Sequence, residues 1–513
     1  MGAGKNPTIL IAIVVSLGGF LFGFDASVIS GVTSYIKPQF ELNDLQLGWV
    51  VSAPTFSAMF AMLAAGTISD YVGRKKVLIV VAFLYILSAI WSAFAGGYID
   101  LVMARMIGGL AFGAALILAP IYIAEISPAA QRGRMVSIQQ LNIVLGFSAA
   151  YFSNYFLQSS LENSDWLNDG NIWRWMFGME CIPAIIYFFA LFTVPRSPRW
   201  LFVKGKVEEA ISVLQRIHGE ALAAEEATAI AKNIEEGKSK AKARLANLFD
   251  SRLTYVLFVA IILGILQQIT GVNAIYFYAT AIFEQSGVGT NAAFAQAVWV
   301  GIINVVFTLV AMNFIDRIGR KPLILIGLAG IALSMSLTAY GFKQASYELT
   351  EVAANKIKDL EIEKLSALFD QEFDNDVAFK NALKEKLGTA TFSQYEGALV
   401  QAAIRMNPIL ILIGILGFVA SFAVSLGPVM WVMLSEMFPN NIRGIAISAV
   451  GFINSFTSWL VQFIFPWELA NWGNAATYFI YALFAIVGLL IMSRVLPETK
   501  GKSLEELEKE LLK

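Results

Sequence analysis

The sequence predicts an all-α membrane protein: twelve transmembrane helices arranged as two six-helix halves. Three observations predict it. The 513 residues are 57% hydrophobic and only 15% charged, against roughly 25% charged in soluble domains. The apolar residues fall in blocks of about 20, the length a helix needs to cross a hydrocarbon core of roughly 30 Å. Short motifs in the first half of the chain recur in the second.

The predicted spans run over 8–32, 47–68, 77–96, 101–124, 136–158, 172–194, 254–282, 293–315, 322–342, 407–433, 442–465 and 472–495. The first block is too long for a signal-peptide core and reads as a retained helix. Two polar stretches interrupt the series, 196–250 and 343–406. The domain reading is therefore 1–195 for the N-terminal half, 196–250 for an intervening segment, and 251–513 for the C-terminal half. The last contains the 343–406 insertion, expected to form short amphipathic helices, and a short charged tail, 496–513.

Basic residues set the expected orientation. "DYVGRKK", "ISPAAQRGRM", "DRIGRKP" and "FPNNIRG" fill the loops after spans 2, 4, 8 and 10, while the loop after span 5 carries Glu162, Asp165 and Asp169. Both termini and segment 196–250 are thus expected in the cytoplasm of a multi-pass cell-membrane protein, with 343–406 outside.

The halves repeat. Asp70 and Arg74 of "DYVGRK" recur as Asp316 and Arg320 of "DRIGRK", 246 positions later. Glu125 and Arg132 recur as Glu436 and Arg443, 311 positions later, and the difference of 65 is about the length of the 343–406 insertion. Parallel six-helix repeats are a transporter layout with the substrate site near the midplane.

Composition excludes much else. Net charge is −1, with one cysteine (Cys181) and one histidine (His218). Internal disulfides and a Cys/His metal cluster are excluded, nothing points to nucleic acid, and no cofactor motif is present. No nucleophile–base pair or phosphate loop suggests an enzyme.

Polar residues inside the spans carry the chemistry. In "LGILQQITGVNAIYFYA", Gln267, Gln268 and Asn273 place three amides within an apolar run. Such groups must find partners in lipid. Spacing alone is equally consistent with glue between helices and with a neutral surface that matches the hydroxyls of a polyol. Asp25 in the first span and Arg105 in the fourth are charges within apolar runs, read as partners. A carboxylate at mid-membrane costs about 2.5–3.5 kcal/mol on insertion scales. Beside Arg105 it stays ionised, and away from it in a dry site the protonated form is favoured, so proton binding and helix movement become linked. A static pair joining two helices is the alternative.

The stretches "GGFLFGFDASVISG", "DYVGRKK", "ARMIGG", "AEISPAAQRGRMVSIQQ", "PRSPRWL", "QQITGVN", "DRIGRKP", "LGPVMWVMLSEMFPNNIRG" and "PETKG", in this order, resemble the sugar porter family of the major facilitator superfamily. The resemblance implies the major facilitator fold, a helical bundle at 196–250, and a monosaccharide carrier working by alternating access, a monomer by default. It implies sugar contacts for Gln140, Gln267, Gln268, Asn273, Asn304, Trp431 and Asn454, with Phe22 and Tyr278 as weaker cavity-lining candidates. Trp431 follows a Gly427-Pro428 break and offers a flat face to a sugar ring. Asp25 and Arg105 are implied in proton coupling. Asp70, Arg74, Glu125, Arg132, Asp316, Arg320, Glu436 and Arg443 are implied as cytoplasmic gating charges. A passive facilitator, an inositol or polyol transporter and a non-transporting sensor are the competing readings.

Four positions depart from the family pattern. Phe277 occupies the first place of a usual tyrosine pair in Tyr276-Phe277-Tyr278. Phe147 replaces a glutamine found in some members, and Ser455 an aromatic found in many. In Pro195-Arg196-Ser197-Pro198-Arg199 a cation replaces the usual glutamate, so the inner lock is expected to be weaker or differently wired there.

Overall fold

A computed structural model describes residues 7–128, 131–239, 251–357, 360–439, 442–502 and 504–511. Among the described residues, twelve helical segments are long and apolar enough to cross a membrane. They are Pro7–Gln39, Asp44–Val72, Arg74–Phe94, Tyr98–Ile126, Gly133–Asn163, Ile172–Thr193, Thr254–Glu284, Thr290–Ile318, Arg320–Lys343, Pro408–Met437, Arg443–Asn471 and Asn474–Val495. They match the twelve predicted spans one for one, and many extend beyond the apolar run by a turn or more.

Three spans are broken. The sixth divides into Ile172–Gly178 and Cys181–Thr193, with Glu180 just before the second piece. The seventh divides into Thr254–Ile269 and Val272–Glu284. Between these pieces Gly271 has φ +94°, and a β-carbon there would lie 2.7 Å from the Tyr481 ring. Only glycine tolerates both the left-handed backbone and that contact. The tenth divides into Pro408–Val424 and Leu426–Met437 at Ser425, whose φ and ψ are −128° and −98°. The break expected at Gly427-Pro428 thus falls two residues earlier. The proline ring of Pro428 clashes with the carbonyl one turn back, at Val424.

The chain packs as two compact units whose borders cross helices. One comprises Met1–Asp25, Ala53–Phe147 and Phe177–Arg244, the other Ala26–Ser52, Ser148–Met176 and Leu245–Lys513. The first unit has a core of Leu78, Tyr85, Ala115, Leu118, Tyr122 and Tyr187. It also holds the helices Pro198–Val203, Val207–His218 and Glu220–Ser239, the bundle implied for 196–250; residues 240–250 lie outside the described set.

In the second unit the C-terminal end of the first span and the start of the second pack on the seventh and eleventh. Ser30 Oγ lies 3.0 Å from Thr280 Oγ1. A methyl on Gly48 would sit 1.9 Å from the Phe463 carbonyl oxygen. The 343–406 insertion has its own core of Tyr347, Leu349, Phe379, Leu383, Phe392 and Leu399. It contains the expected short helices, Asp376–Leu387 and Thr389–Ala403 among them. It also contains a sheet that the sequence did not announce: β1 (Ser346–Glu348) lies between β2 (Glu372–Phe373) and β3 (Ile404–Arg405), both antiparallel to it. Strands of two or three residues are too short to show alternation.

A charge cluster ties this insertion down. Lys37 Nζ lies 2.7 Å from Glu396 and 3.1 Å from Asp44, and Lys380 Nζ lies 3.5 Å from Glu396. Burial pushes the Glu396 carboxyl up, but Lys37 and Lys380 outweigh it and hold the group at about 2. A depressed carboxylate contributes stability above its unfolded value of 4.5, lost as pH falls toward 2. The melting-temperature gap between the parent and Glu396→Gln should therefore stay constant above about pH 5 and close between 4.5 and 2. A gap that closes nearer neutrality would contradict this.

A candidate sugar site and a buried ion pair

The three seventh-span amides come together with three polar residues of the eleventh span and with backbone carbonyls beside the tenth-span break. Gln267 Nε2 donates to the carbonyls of Leu426 (2.9 Å) and Gly427 (3.3 Å), beside the tenth-span break. Gln267 Oε1 accepts from Asn454 Nδ2 at 2.8 Å and from Gln268 Nε2 at 3.2 Å. Gln268 Nε2 also reaches Asn454 Oδ1 at 3.2 Å, and Gln268 Oε1 accepts from Asn273 Nδ2 at 2.9 Å. Asn273 Nδ2 donates to Ser458 Oγ at 2.6 Å, to which Gln462 Nε2 donates at 2.7 Å. The network is contiguous, and each amide orients the next.

These amides differ in what they leave open. Gln267 spends its hydrogens on backbone carbonyls, so one of the two expected roles, glue, applies to it in this arrangement. Asn273 is half-buried and its Oδ1 has no partner among the described residues. Asn304, only 5% exposed, makes no hydrogen bond among the described residues. Neither residue is among the fully buried unpartnered groups, so both keep polar atoms open to a ligand hydroxyl. Trp431 is 43% exposed, its ring edge 3.7 Å from where a β-carbon on Gly451 would lie, one turn before Asn454.

Tyr278 is buried, donates its hydroxyl to the Gln462 carbonyl at 3.1 Å and packs on Phe465. The Phe277 position keeps a buried ring without that anchor. Ser455 is half-buried. In the first unit, Gln140 is half-buried with no partner among the described residues, and its neighbour Gln139 is buried with Oε1 unpaired. Phe22 packs against Phe112 and Phe147, which fills the place of the family glutamine with a ring. Ser458 and Gln462 escaped the sequence reading. Their signal was present: Asn454, Ser458 and Gln462 are spaced by four and share one helix face.

Asp25 and Arg105 do form the expected pair. Arg105 Nη1 donates to Asp25 Oδ1 at 2.5 Å, the residues being 3% and 1% exposed. The pair is single-stranded. Among the described residues Arg105 Nε has no hydrogen-bond partner, and the guanidinium carbon lies 5.5 Å from the centre of the Phe177 ring. A one-bond buried pair recovers less of its desolvation than a bidentate one. Glu180, 2% exposed, stands within electrostatic reach of both charges. It was missed although "GMECIP" sets an acid within an apolar span.

The charges at the GRK ends form two matching sets. In the first unit Arg74 binds Asp70 (2.7 Å) and Glu125 (3.1 Å), and Ser197 Oγ donates to Glu125 at 2.5 Å. In the second Arg320 binds Asp316 (3.0 Å) and Glu436 (2.9 Å), and Thr499 Oγ1 donates to Glu436 at 2.6 Å. Arg443 Nε instead donates to the Phe438 carbonyl at 3.2 Å. The Arg132 side chain lies outside the described residues.

The match fails at one place. Three residues past the twelfth span, Glu498 accepts from the backbone N–H groups of Arg320 and Lys321, both at 3.1 Å, capping the ninth span. Three residues past the sixth span, Arg196 pairs with Glu209 at 3.1 Å, and among the described residues no acid side chain accepts from the first N–H groups of the third span. The rewiring expected from the substituted motif is thus a missing acidic cap. An acid at a helix N-terminus is worth about 0.3–1 kcal/mol, while the exposed Arg196–Glu209 pair contributes about 0–1. Arg196→Glu is expected to raise the melting temperature slightly, and a fall would show that the Glu209 contact matters more.

Comparison with known proteins identifies the family. A family model described as sugar (and other) transporter matches residues 11–355 and 388–511. The arabinose-proton symporter of Bacillus subtilis (strain 168) is 35% identical over 98% of this chain and 94% of its own. The D-xylose-proton symporter of Escherichia coli (strain K12) is 35% identical over 97% of this chain and 94% of its own. The solved inward-open conformation of the E. coli xylose transporter XylE superposes with a TM-score of 0.75 at 30% identity, covering 98% of this chain and 99% of that one. The chain therefore belongs to the sugar transporter family, among the sugar porters of the major facilitator superfamily.

Proposed function

We propose that this protein is a proton-coupled monosaccharide symporter that works by alternating access. The observation that carries the sugar reading is the neutral amide network with acceptors left open at Asn273 and Asn304. A sugar hydroxyl both donates and accepts, so an uncharged amide surface matches it without a counter-ion. Gln140, Gln267, Gln268, Asn273, Asn304, Asn454 and Trp431 are assigned to the sugar, with Phe22 and Tyr278 lining its cavity. Each hydrogen bond adds only about 1 kcal/mol net, which suits a site that must release its ligand.

Asp25 is the coupling group, Arg105 its partner and Glu180 a third charge that modulates both. The family is one of transporters, and no enzymatic role is assigned. The GRK ends lie in the cytoplasm with both termini, so the 343–406 insertion faces outward. The paired Arg74 and Arg320 clusters act in gating. The relatives named for arabinose and xylose favour a pentose, with hexoses and inositols as the comparison set.

Sugar counterflow in proteoliposomes tests the reading. Preloaded vesicles should exchange at least one labelled pentose, hexose or inositol. Exchange of none of them, with exchange of an amino acid or organic anion instead, would overturn it.

A further inference from the structure

On the side that this reading makes extracytoplasmic, a cavity of about 440 Å³ lies within the second unit. It is lined by Ser34, Tyr278, Glu284, Gln285, Thr290 and Pro466, among others. That volume falls within the usual range of small-molecule sites, about 300–1,000 Å³. Its polar lining includes Gln285, whose Oε1 is buried without a partner, and Ser34, which donates to Glu284 at 2.6 Å. Tyr278 connects it to the amide network, five residues along the seventh span from Asn273.

The mouth of this chamber has two walls. One is the end of the first span, Thr33 to Pro38; the other is the inserted helix Thr389–Ala403. Lys37 and Glu396 bond directly across it at 2.7 Å. The chain of charges continues through Lys380, 3.5 Å from Glu396 and 3.9 Å from Asp376. Asp376 accepts from the backbone N–H (3.2 Å) and side-chain amide (2.8 Å) of Asn474 at the start of the twelfth span. The helix Asp376–Leu387 lies in the stretch 356–387 that the family pattern skips. The Lys380 and Asp376 part of this anchor therefore lies outside the stretches that the family pattern matches, while Lys37 and Glu396 lie within them.

We propose that the insertion is a latch on the outer mouth of the sugar path, fastening the first span to the twelfth through Lys37, Glu396, Lys380 and Asp376. The Lys37–Glu396 bond spans the two walls, so parting them widens the way into the chamber from this side. Release of that bond is the step that opens the path outward. The proposal rests on the transport reading for its direction, but not for its test.

The test uses a single cysteine on the chamber wall, Ala281→Cys in a Cys181→Ser background, labelled on intact cells by a membrane-impermeant maleimide. Thr290→Cys serves if the first variant does not fold. Glu396→Gln and Lys37→Gln should each speed labelling at least fivefold, and the double variant should be no faster than either single. Arg405→Gln, which breaks the Glu348 pair elsewhere in the insertion, should leave the rate unchanged. Unchanged labelling in Glu396→Gln, or additive effects in the double variant, would overturn the latch. No sugar is needed for the readout. Intact uptake with unmoved labelling removes the latch alone, whereas faster labelling without any sugar carried removes the sugar reading alone.

Discussion

Asp25→Asn is expected to abolish sugar accumulation driven by a pH gradient while leaving sugar-for-sugar exchange in place. The substitution keeps the shape of the side chain and an oxygen to accept from Arg105, now 2.5 Å from the carboxylate. It removes the proton-binding site. Breaking a buried pair by deleting one charge costs about 3–5 kcal/mol. Glu180 offsets part of that loss, because it supplies a second negative charge near Arg105. The variant should therefore fold and exchange sugar, and lose only the coupling. Uptake and counterflow in the same proteoliposome preparation measure both quantities. An Asn variant that still concentrates sugar when protons flow inward would place the coupling elsewhere and favour Glu180.

Asn273→Ala is expected to weaken sugar binding at least tenfold with little change in melting temperature, whereas Gln267→Ala is expected to lower stability as well. The difference follows from their partners. Gln267 holds two tenth-span carbonyls and receives two side-chain donors, so its removal strands several buried groups at about 1–3 kcal/mol each. Asn273 donates to Gln268 and Ser458 but keeps an acceptor open. Gln268→Ala should also weaken binding tenfold or more, because it removes the group that orients Asn273. Calorimetric titration with the transported sugar, alongside thermal unfolding, separates the two effects. Full affinity in both Asn273→Ala and Gln268→Ala would make the whole network structural.

The spans and the repeated motifs were legible because both are written in sequence-local terms. Each span is an apolar run of helix length, and Arg74 with Asp70, like Arg320 with Asp316, is four residues apart across one short turn between consecutive helices. Asp25 and Arg105 were legible because an intramembrane charge has few alternatives to pairing. The breaks were harder. Pro428 announced one, but its steric effect is exerted a turn upstream, at the Val424 carbonyl, so the helix breaks at Ser425. Gly271 gave no sign in "QQITGVN" of the crowding that bars a β-carbon there, since the Tyr481 ring comes from a distant span. The partners of Glu180 and the pairing of Ser458 with Asn273 depend on which helices become neighbours, which no local pattern records. The reach of Glu498 to the ninth span, and the failure of Arg196 to do the same for the third, became readable only once both helix ends were in place.

The central claim is that sugar and proton cross together, and the most direct measurement is proton movement on sugar addition. Unbuffered, de-energised vesicles containing the protein should show an external alkalinisation when the transported sugar is added, absent with Asp25→Asn. Sugar entry at full rate with no alkalinisation in the parent protein would contradict symport and leave a passive carrier.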